Sequence, residues 1–441
     1  MIEPTVLLSP VKSAVPAEGG VIELMVRVQA PDQPETSKTK ITAKRLAVVV
    51  DRSGSMDGQP LQEALRCVSH IAGCMTPADQ LSVVVYDSQV DVLMPLAPVK
   101  SADSVRRAIA GVHSGGNTNL FGGWETGAKQ LEGGIDGSIS RVILLSDGQA
   151  NNGLCDIATI EKHCSEWLAK GVTTTTVGLG RGFNEDLMIA MARAGGGQQY
   201  YGQTAEDLYD SFDEEFQLLQ SLCLRGLHIK LIPAPGVIIE PVGLVQQATD
   251  GTYHLSDLAW GAESWMMLRL HVSPTAVNQN RDLLAASLQA TTLEGKTLTA
   301  HAAMLSLPAL DAPSFAALPF DQAVHDRLQE VEFAQVSQAL RGLVQQGDLK
   351  GARKLMKQLQ TRFGAHPWLQ DKLQQLRELA ERDPDMMVKE VRFSAMRMST
   401  RLSSKSEERF SGDETGEDIP AFLRKKSQEG RGKQKPANPP V

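Results

Sequence analysis

No stretch of this 441-residue sequence reaches the ~18 uninterrupted apolar residues of a membrane-spanning helix. Positive charge is not in excess either. The 44 Lys and Arg face 52 Asp and Glu, a formal net charge of −8, so neither nucleic acid nor an anionic membrane is favoured electrostatically as the main partner. The five cysteines, Cys67, Cys74, Cys155, Cys164 and Cys223, are odd in number and scattered through apolar contexts. They read as buried reduced thiols rather than a disulfide framework. The opening MIEPTVLLSPVKSAVPAEGG has no basic stretch followed by an apolar one, so no secretory signal is expected and the cytoplasm is the expected compartment. There is no Walker phosphate loop, and no G-x-S-x-G elbow surrounds the serines discussed below.

What is present describes a globular chain, 42% hydrophobic and 22% charged, long enough for two or three domains of roughly 100–200 residues each. From about Arg45 to Leu222, β-branched runs (LAVVV, LSVVVYD, RVILLSD, TTTTVGLG) alternate with helical spacing (LQEALRCVSHIAGCM, SVRRAIAGV, ATIEKHCSEWLAKG, EDLMIAMARAGGG). Near-continuous apolar strands between helices predict a doubly wound, mostly parallel α/β sheet covered on both faces. The segments on either side change period. VIELMVRVQ, LHIKLIP, MMLRLHV and LAASLQATTLEGKTLTAHAAM alternate every two residues, with a hairpin turn at Glu294-Gly295, and predict an antiparallel sandwich into whose sequence the α/β unit is inserted. Beyond Phe320 the stripes Val324/Leu328/Val331, Leu355/Leu359/Phe363 and Leu369/Leu373/Leu376 predict helices. The expected divisions are 1–42 completing the sandwich, 43–222 the α/β domain, 223–312 the sandwich, 313–387 a helical region and 388–441 a polar, disordered tail.

The chemistry concentrates in VVVDRSGSMDG. Asp51 ends the first α/β strand, so it points to the carboxyl edge where open α/β sheets place their sites. The Gly-rich HSGGNTNLFGG carries Thr118 to the same edge, and LLSDG carries Asp147. Asp51, Ser53, Ser55, Thr118 and Asp147 offer only hard oxygens, which suit magnesium. Two other readings stay open: Ser53, Ser55 and Asp57 as caps of the next helix, and magnesium-dependent phosphotransfer. The latter is expected to use a second carboxylate two positions after Asp51, where this chain has Ser53. Cys155, His163 and Cys164 hint at a soft-metal site, but their spacing fits ordinary packing better. ARAGGGQQYYG follows a helix and reads as a helix-stop loop.

Taken together, DRSGS, the threonine of GGNTNL and the aspartate of LLSDG resemble the metal-ion-dependent adhesion site of von Willebrand factor A domains, in that family's order and over about residues 43–222. The resemblance implies that Ser53, Ser55 and Thr118 bind a cation through hydroxyls while Asp51 and Asp147 hold its waters. Magnesium is the expected ion, with manganese or calcium as alternatives, and one position stays open for a partner protein's carboxylate. Arg52, Asn117, Gln149 and Asn151 would form a polar rim that meets this partner. The layout is similar to bacterial intracellular members of the superfamily and to the inter-α-trypsin-inhibitor-type branch. It implies a non-enzymatic scaffold, and some such proteins neighbour kinase and phosphatase genes, implying a link to such a system. A structural module with a vestigial metal site is the remaining alternative. In the tail, DIPAFLRKK (418–426) resembles the C-terminal peptide of the bacterial tubulin-like division protein. That resemblance implies a second partner docking on Ile419, Phe422 and Leu423.

Overall fold

The computed structural model describes residues 3–33, 43–134, 137–147, 149–179, 184–202, 205–243, 245–248, 250–382, 387, 388, 390, 391, 394, 403 and 404. The chain enters through β1 (Thr5–Pro10), β2 (Val15–Pro16) and β3 (Gly20–Gln29). The α/β unit then runs β4 (Lys44–Asp51), α1 (Gln59–Gly73), β5 (Gln80–Tyr86), β6 (Val90–Pro98), α2 (Ala102–Ile109), α3 (Leu120–Gln130), β7 (Ile139–Ser146), α4 (Ile157–Ala169), β8 (Val172–Leu179), α5 (Glu185–Ala194), β9 (Gly196–Gly202) and α6 (Glu206–Ser221).

Among the described residues its sheet has the order β6-β5-β4-β7-β8-β9, parallel except for the antiparallel edge strand β6. β4 and β7 are buried along their whole length, as their apolar runs require when helices cover both faces. β8 is buried too, although its core is four threonines. Each hydroxyl there has a partner: Thr173 Oγ1 donates to the Ser140 carbonyl (3.2 Å), Thr174 accepts from Trp124 Nε1 (3.0 Å), Thr175 donates to Glu215 (2.9 Å) and Thr176 donates to the Met188 carbonyl (2.8 Å). Satisfied hydroxyls remove the penalty of burial and leave the β-branched preference for a strand.

The segment expected to be a helix-stop loop, ARAGGGQQYYG, is one only at Gly195, which caps α5; from Gly196 it is strand β9. A side chain at Gly197 would lie 2.2 Å from the Thr174 carbonyl oxygen, so glycine there admits β9 against β8.

α6 passes into β10 (Leu222–Pro233) without a linker; β11 (Val237–Val242), β12 (Gln246–Gln247), β13 (Tyr253–Leu255), β14 (Leu258–Ala259), β15 (Ala262–Val272), β16 (Asn280–Thr292) and β17 (Thr297–Leu310) follow. Two antiparallel-dominated sheets result, β1-β3-β15-β11 and β12-β13-β10-β16-β17-β2, so the N-terminal strands complete the first across the inserted α/β unit. Ile22, Leu24, Val26 and Val28 share the sandwich core with Leu268, Leu270, Leu284 and Leu288. The alternate face of β3 and β15, with Met25, Trp265 and Met267, is covered by Val324, Leu328 and Val331 of a helix.

That helix is α8 (Gln322–Gln345), which follows α7 (Ala312–Ala317) and precedes α9 (Leu349–Phe363) and α10 (Pro367–Arg382). Phe333, Leu359, Phe363, Leu369, Leu373 and Leu376 form their core. Arg341 of α8 reaches Asp186 of α5 with two hydrogen bonds (3.0 and 2.7 Å). No helix among the described residues is long and apolar enough to cross a membrane. Ile419, Phe422 and Leu423 lie outside the described residues.

Candidate functional site

The chain passes from β4 to β5 on one side and later returns to β7 on the other, so β4 and β7 flank the point where strand order reverses. In open α/β sheets the crevice beyond the carboxyl ends at that point is where ligands bind. Asp51 is the last residue of β4, Ser146 ends β7 and Asp147 follows it.

The Asp51 side chain is fully buried and accepts three hydrogen bonds: from Ser53 N (2.8 Å), the Ser146 hydroxyl (2.6 Å) and the Tyr86 hydroxyl (3.2 Å). Burial pushes its carboxyl up against the hydrogen bonds from Ser146 and Ser53, and the Asp147 charge adds to the upward push. Burial, reinforced by the Asp51 charge, holds the Tyr86 phenol well above its ordinary range. Among the described residues no ion pair joins either carboxylate. A cation held at this edge would relieve that repulsion.

Ser53 and Ser55 flank Gly54 in a short 3-10 turn, Gly54–Met56. Neither serine caps a helix: the turn has no side-chain cap bond, and α1 starts from Gly58, also without one. Their hydroxyl oxygens instead lie 3.2 Å apart, Ser53 buried and Ser55 exposed. The Asp57 side chain accepts a hydrogen bond from Ser114 and does not cap α1. The capping reading of VVVDRSGSMDG is therefore wrong for these side chains.

Backbone hydrogen bonds lace the three loops together. Gly54 N donates to the Gly116 carbonyl (3.1 Å), and Gly115 N to the Arg52 carbonyl (2.9 Å). Thr118 N donates to Asn151 Oδ1 (2.8 Å), and Asn151 N and Asn152 N return to the Thr118 carbonyl (3.2 Å each). Asp147 accepts from Gln149 N (3.1 Å). Gly116 makes the turn before Thr118 at φ +71°, and a side chain there would also meet Ser88 Oγ at 2.9 Å, so both space and backbone require glycine. Thr118 is buried and Asp147 nearly so. Hydroxyls and carboxylates with no nitrogen or sulfur among them fit a hard divalent cation, and the buried Asp51 carboxylate, hydrogen-bonded but without an ion-pair partner among the described residues, is the observation that favours one.

Asn117, Gln149 and Asn151 are exposed around this edge, Asn151 with its side chain engaged by Thr118 N. Arg52 is turned aside: its guanidinium pairs with Asp87 (3.0 Å) and Asp91 (2.5 Å) and is mostly buried, so it braces the loop against β5 and β6. Three contributors were not anticipated: Tyr86, Ser146 and Asp87. Tyr86-Asp87 closes LSVVVYD and Ser146 directly precedes Asp147, but only the pairing of their strands with β4 gives them a role.

The soft-metal hint dissolves: Cys164 is buried in the core, Cys155 is exposed beside the carbonyls of Asn152 and Gly153, and His163 packs on Phe121. Cys155 exposed and Cys74 only half-buried also correct the expectation that all five thiols are buried, though all five are free.

Comparison with known proteins bears on this unit. Residues 46–214 match the von Willebrand factor type A domain, and the α/β unit is such a domain. The chain is 26% identical over 211 residues to the uncharacterized protein sll0103 of Synechocystis, covering 46% of this chain and 49% of that one. It is 26% identical over 216 residues to inter-alpha-trypsin inhibitor heavy chain H4 of Bos taurus, covering 46% and 22%. The chain thus spans about half, or less, of the length of these relatives. Among solved structures, von Willebrand factor type A from Catenulispora acidiphila superposes with TM-score 0.68 at 14% identity, covering 90% of this chain and 97% of that one. The ArnB paralog VWA2 from Sulfolobus acidocaldarius does so with TM-score 0.58 at 16% identity, covering 89% and 98%. At these identities the likeness is one of fold, and it extends over nearly the whole chain.

Proposed function

We propose that this von Willebrand factor type A domain protein is a non-enzymatic binding module that captures an acidic side chain of a partner protein through a divalent cation, magnesium foremost and manganese or calcium as alternatives. Ser53, Ser55 and Thr118 would hold the ion through hydroxyls, and Asp51 and Asp147 through its waters. When bound, the cation supplies a positive centre with a position open to a partner's carboxylate.

The observation that carries this reading is the pair of Ser53 and Ser55 hydroxyls, 3.2 Å apart beside a buried aspartate and free of any capping task. Neutral hydroxyls leave the ion most of its charge, which favours an external acid. A phosphotransfer enzyme would be expected to carry a second carboxylate where Ser53 stands. The five free cysteines support a reducing compartment such as the cytoplasm. Asn117, Gln149 and Asn151 form the rim that selects the partner, and the tail peptide with Ile419, Phe422 and Leu423 is proposed as a separate docking element.

The test has two parts. Calorimetry with magnesium and manganese should show one site in the wild type and none in Ser53→Ala with Ser55→Ala, whose unfolding should stay near wild type because neither hydroxyl caps a helix. Retention of lysate proteins on full-length protein should then depend on magnesium and be lost with chelator and with Asp51→Ala. Partners that survive both treatments would overturn metal-mediated capture. Turnover of a phosphate ester by the wild type, lost in Asp51→Ala, would favour the enzyme instead.

A further inference from the structure

α1 runs back from the carboxyl edge of the sheet, so its last turn lies at the opposite edge from the site above. There His70 sits in the last turn, Cys74 caps the helix one turn later, and Asp213 arrives from α6, packed alongside. His70 Nε2 lies 3.1 Å from Asp213 Oδ1, Cys74 Sγ 3.7 Å from His70 Nε2, and Cys74 Sγ 3.8 Å from Asp213 Oδ1. The Tyr209 ring stacks on the imidazole, with centroids 4.3 Å apart and 17° between planes, and fixes its orientation.

One feature separates this cluster from a catalytic relay. The same imidazole nitrogen faces both the thiol and the carboxylate, whereas a Cys-His-Asp relay would engage opposite nitrogens. The three atoms converge instead on one point. Ligands ~2.0–2.3 Å from a tetrahedral zinc lie about 3.3–3.6 Å from one another. The observed triangle has nearly those edges before any ion draws it in.

We infer that His70, Cys74 and Asp213 form a second metal site, chemically distinct from the oxygen-lined one, which binds a soft divalent cation of the zinc class with a fourth position open to water. His70 and Cys74 stand four residues apart on one helix face, and Asp213 comes from the helix that leads directly into β10. The ion therefore staples the middle of α6 to the end of α1.

The experiment is a cobalt titration of the full-length protein followed by zinc displacement. Thiolate-to-cobalt charge-transfer absorption should saturate at one equivalent and be displaced by zinc. Cys74→Ser should abolish it; His70→Gln and Asp213→Asn should each weaken binding at least about tenfold; Cys155→Ser should leave it intact. Zinc should also raise the melting temperature of the wild type and not of Cys74→Ser. Asp213 is half exposed, so its variant leaves the fold untouched and serves as the decisive arm if a helix variant loses structure. Absence of the band in wild type, or its survival in Cys74→Ser or undiminished in Asp213→Asn, overturns the assignment.

Discussion

The Ser146 hydroxyl donates a 2.6 Å hydrogen bond to the Asp51 carboxylate across the seam between two neighbouring parallel strands. Tyr86, at the end of the strand on the other side of β4, donates to the same carboxylate oxygen. The aspartate is thereby held from both flanks while its backbone neighbour Ser53 donates from the loop. Such a carboxylate is oriented before any ligand arrives. Ser146→Ala leaves a buried acceptor short of one charge-assisted partner, which should cost about 1–3 kcal/mol of stability and push the Asp51 carboxyl higher still. Urea unfolding and manganese affinity check this together. A variant as stable as wild type would show that the seam bond does not hold the site.

Tyr86 is itself held by an absence. A Cβ built on Gly123 would lie 2.3 Å from Tyr86 Cδ1 and 2.5 Å from Cγ, and the ring, fully buried, has nowhere to retreat. Gly123→Ala should therefore displace the ring, cost about 1–3 kcal/mol by overpacking, and take the Asp51 hydrogen bond with it. Gly73→Ala is the control: nothing lies within 4 Å of a Cβ there, and it ends α1 in ordinary helical backbone. That substitution should be neutral or stabilising by about 0.4–1 kcal/mol. Equal effects in the two variants would contradict the argument from space.

α6 is fastened to the sheet by a charge as well as by Leu208, Phe212, Phe216 and Leu219. Glu215 accepts from Arg141 of β7, Thr175 of β8 (2.9 Å) and Tyr200 of β9 (2.9 Å), and both members of the ion pair are buried. Glu215→Ala should strand the Arg141 charge and destabilise by about 3–5 kcal/mol. Joint replacement, Arg141→Met with Glu215→Leu, should recover part of that loss, because neither charge of the pair is left buried alone, while the Thr175 and Tyr200 hydroxyls still lose their Glu215 acceptor. Thermal unfolding of the three proteins decides between a specific pair and a merely intolerant position, for which the double variant would be worse than the single.

The elements that could be read from the sequence are those whose local pattern and global role agree. LAVVV and RVILLSD are apolar because both faces are covered, and VIELMVRVQ alternates because its two faces meet different neighbours: the sandwich core and, through Met25, the helix α8. β9 was obscured because its glycines serve close approach to Thr174 rather than a turn, a tertiary demand with no local signature. Asp51, Ser53, Ser55, Thr118 and Asp147 announce themselves through spacing and residue type. Tyr86 and Ser146 do not, since a hydroxyl at a strand end acquires its role only when the neighbouring strand is known. Arg52 could only be sorted from the rim by seeing Asp87 and Asp91. In the cluster of His70, Cys74 and Asp213, the aspartate lies 139 or more positions from the other two, and only the packing of α6 on α1 brings it to them.

Acid should weaken the sandwich through a pair of histidines. His228 and His254 stand opposite each other on β10 and β13, with ring centroids 4.0 Å apart. Burial and the facing His228 lower His254 to about 4 from its ordinary 6.5, against a small opposing pull from Asp250. Burial lowers His228 as well. Between about pH 6.5 and 4 the unfolded chain binds a proton at His254 that the folded chain refuses, so stability rises with pH across that window. The contribution is fully present above about 6.5 and is lost as the pH falls toward 4. With its open side screened by solvent, His254 should supply roughly 1–2 kcal/mol of that loss. Urea midpoints followed from pH 7 to pH 4 should fall more steeply in wild type than in His254→Gln, which has no proton to refuse. The imidazole itself, followed by NMR, should titrate near the acid end of this range; a midpoint at the ordinary value would show that neither burial nor the neighbouring ring perturbs it.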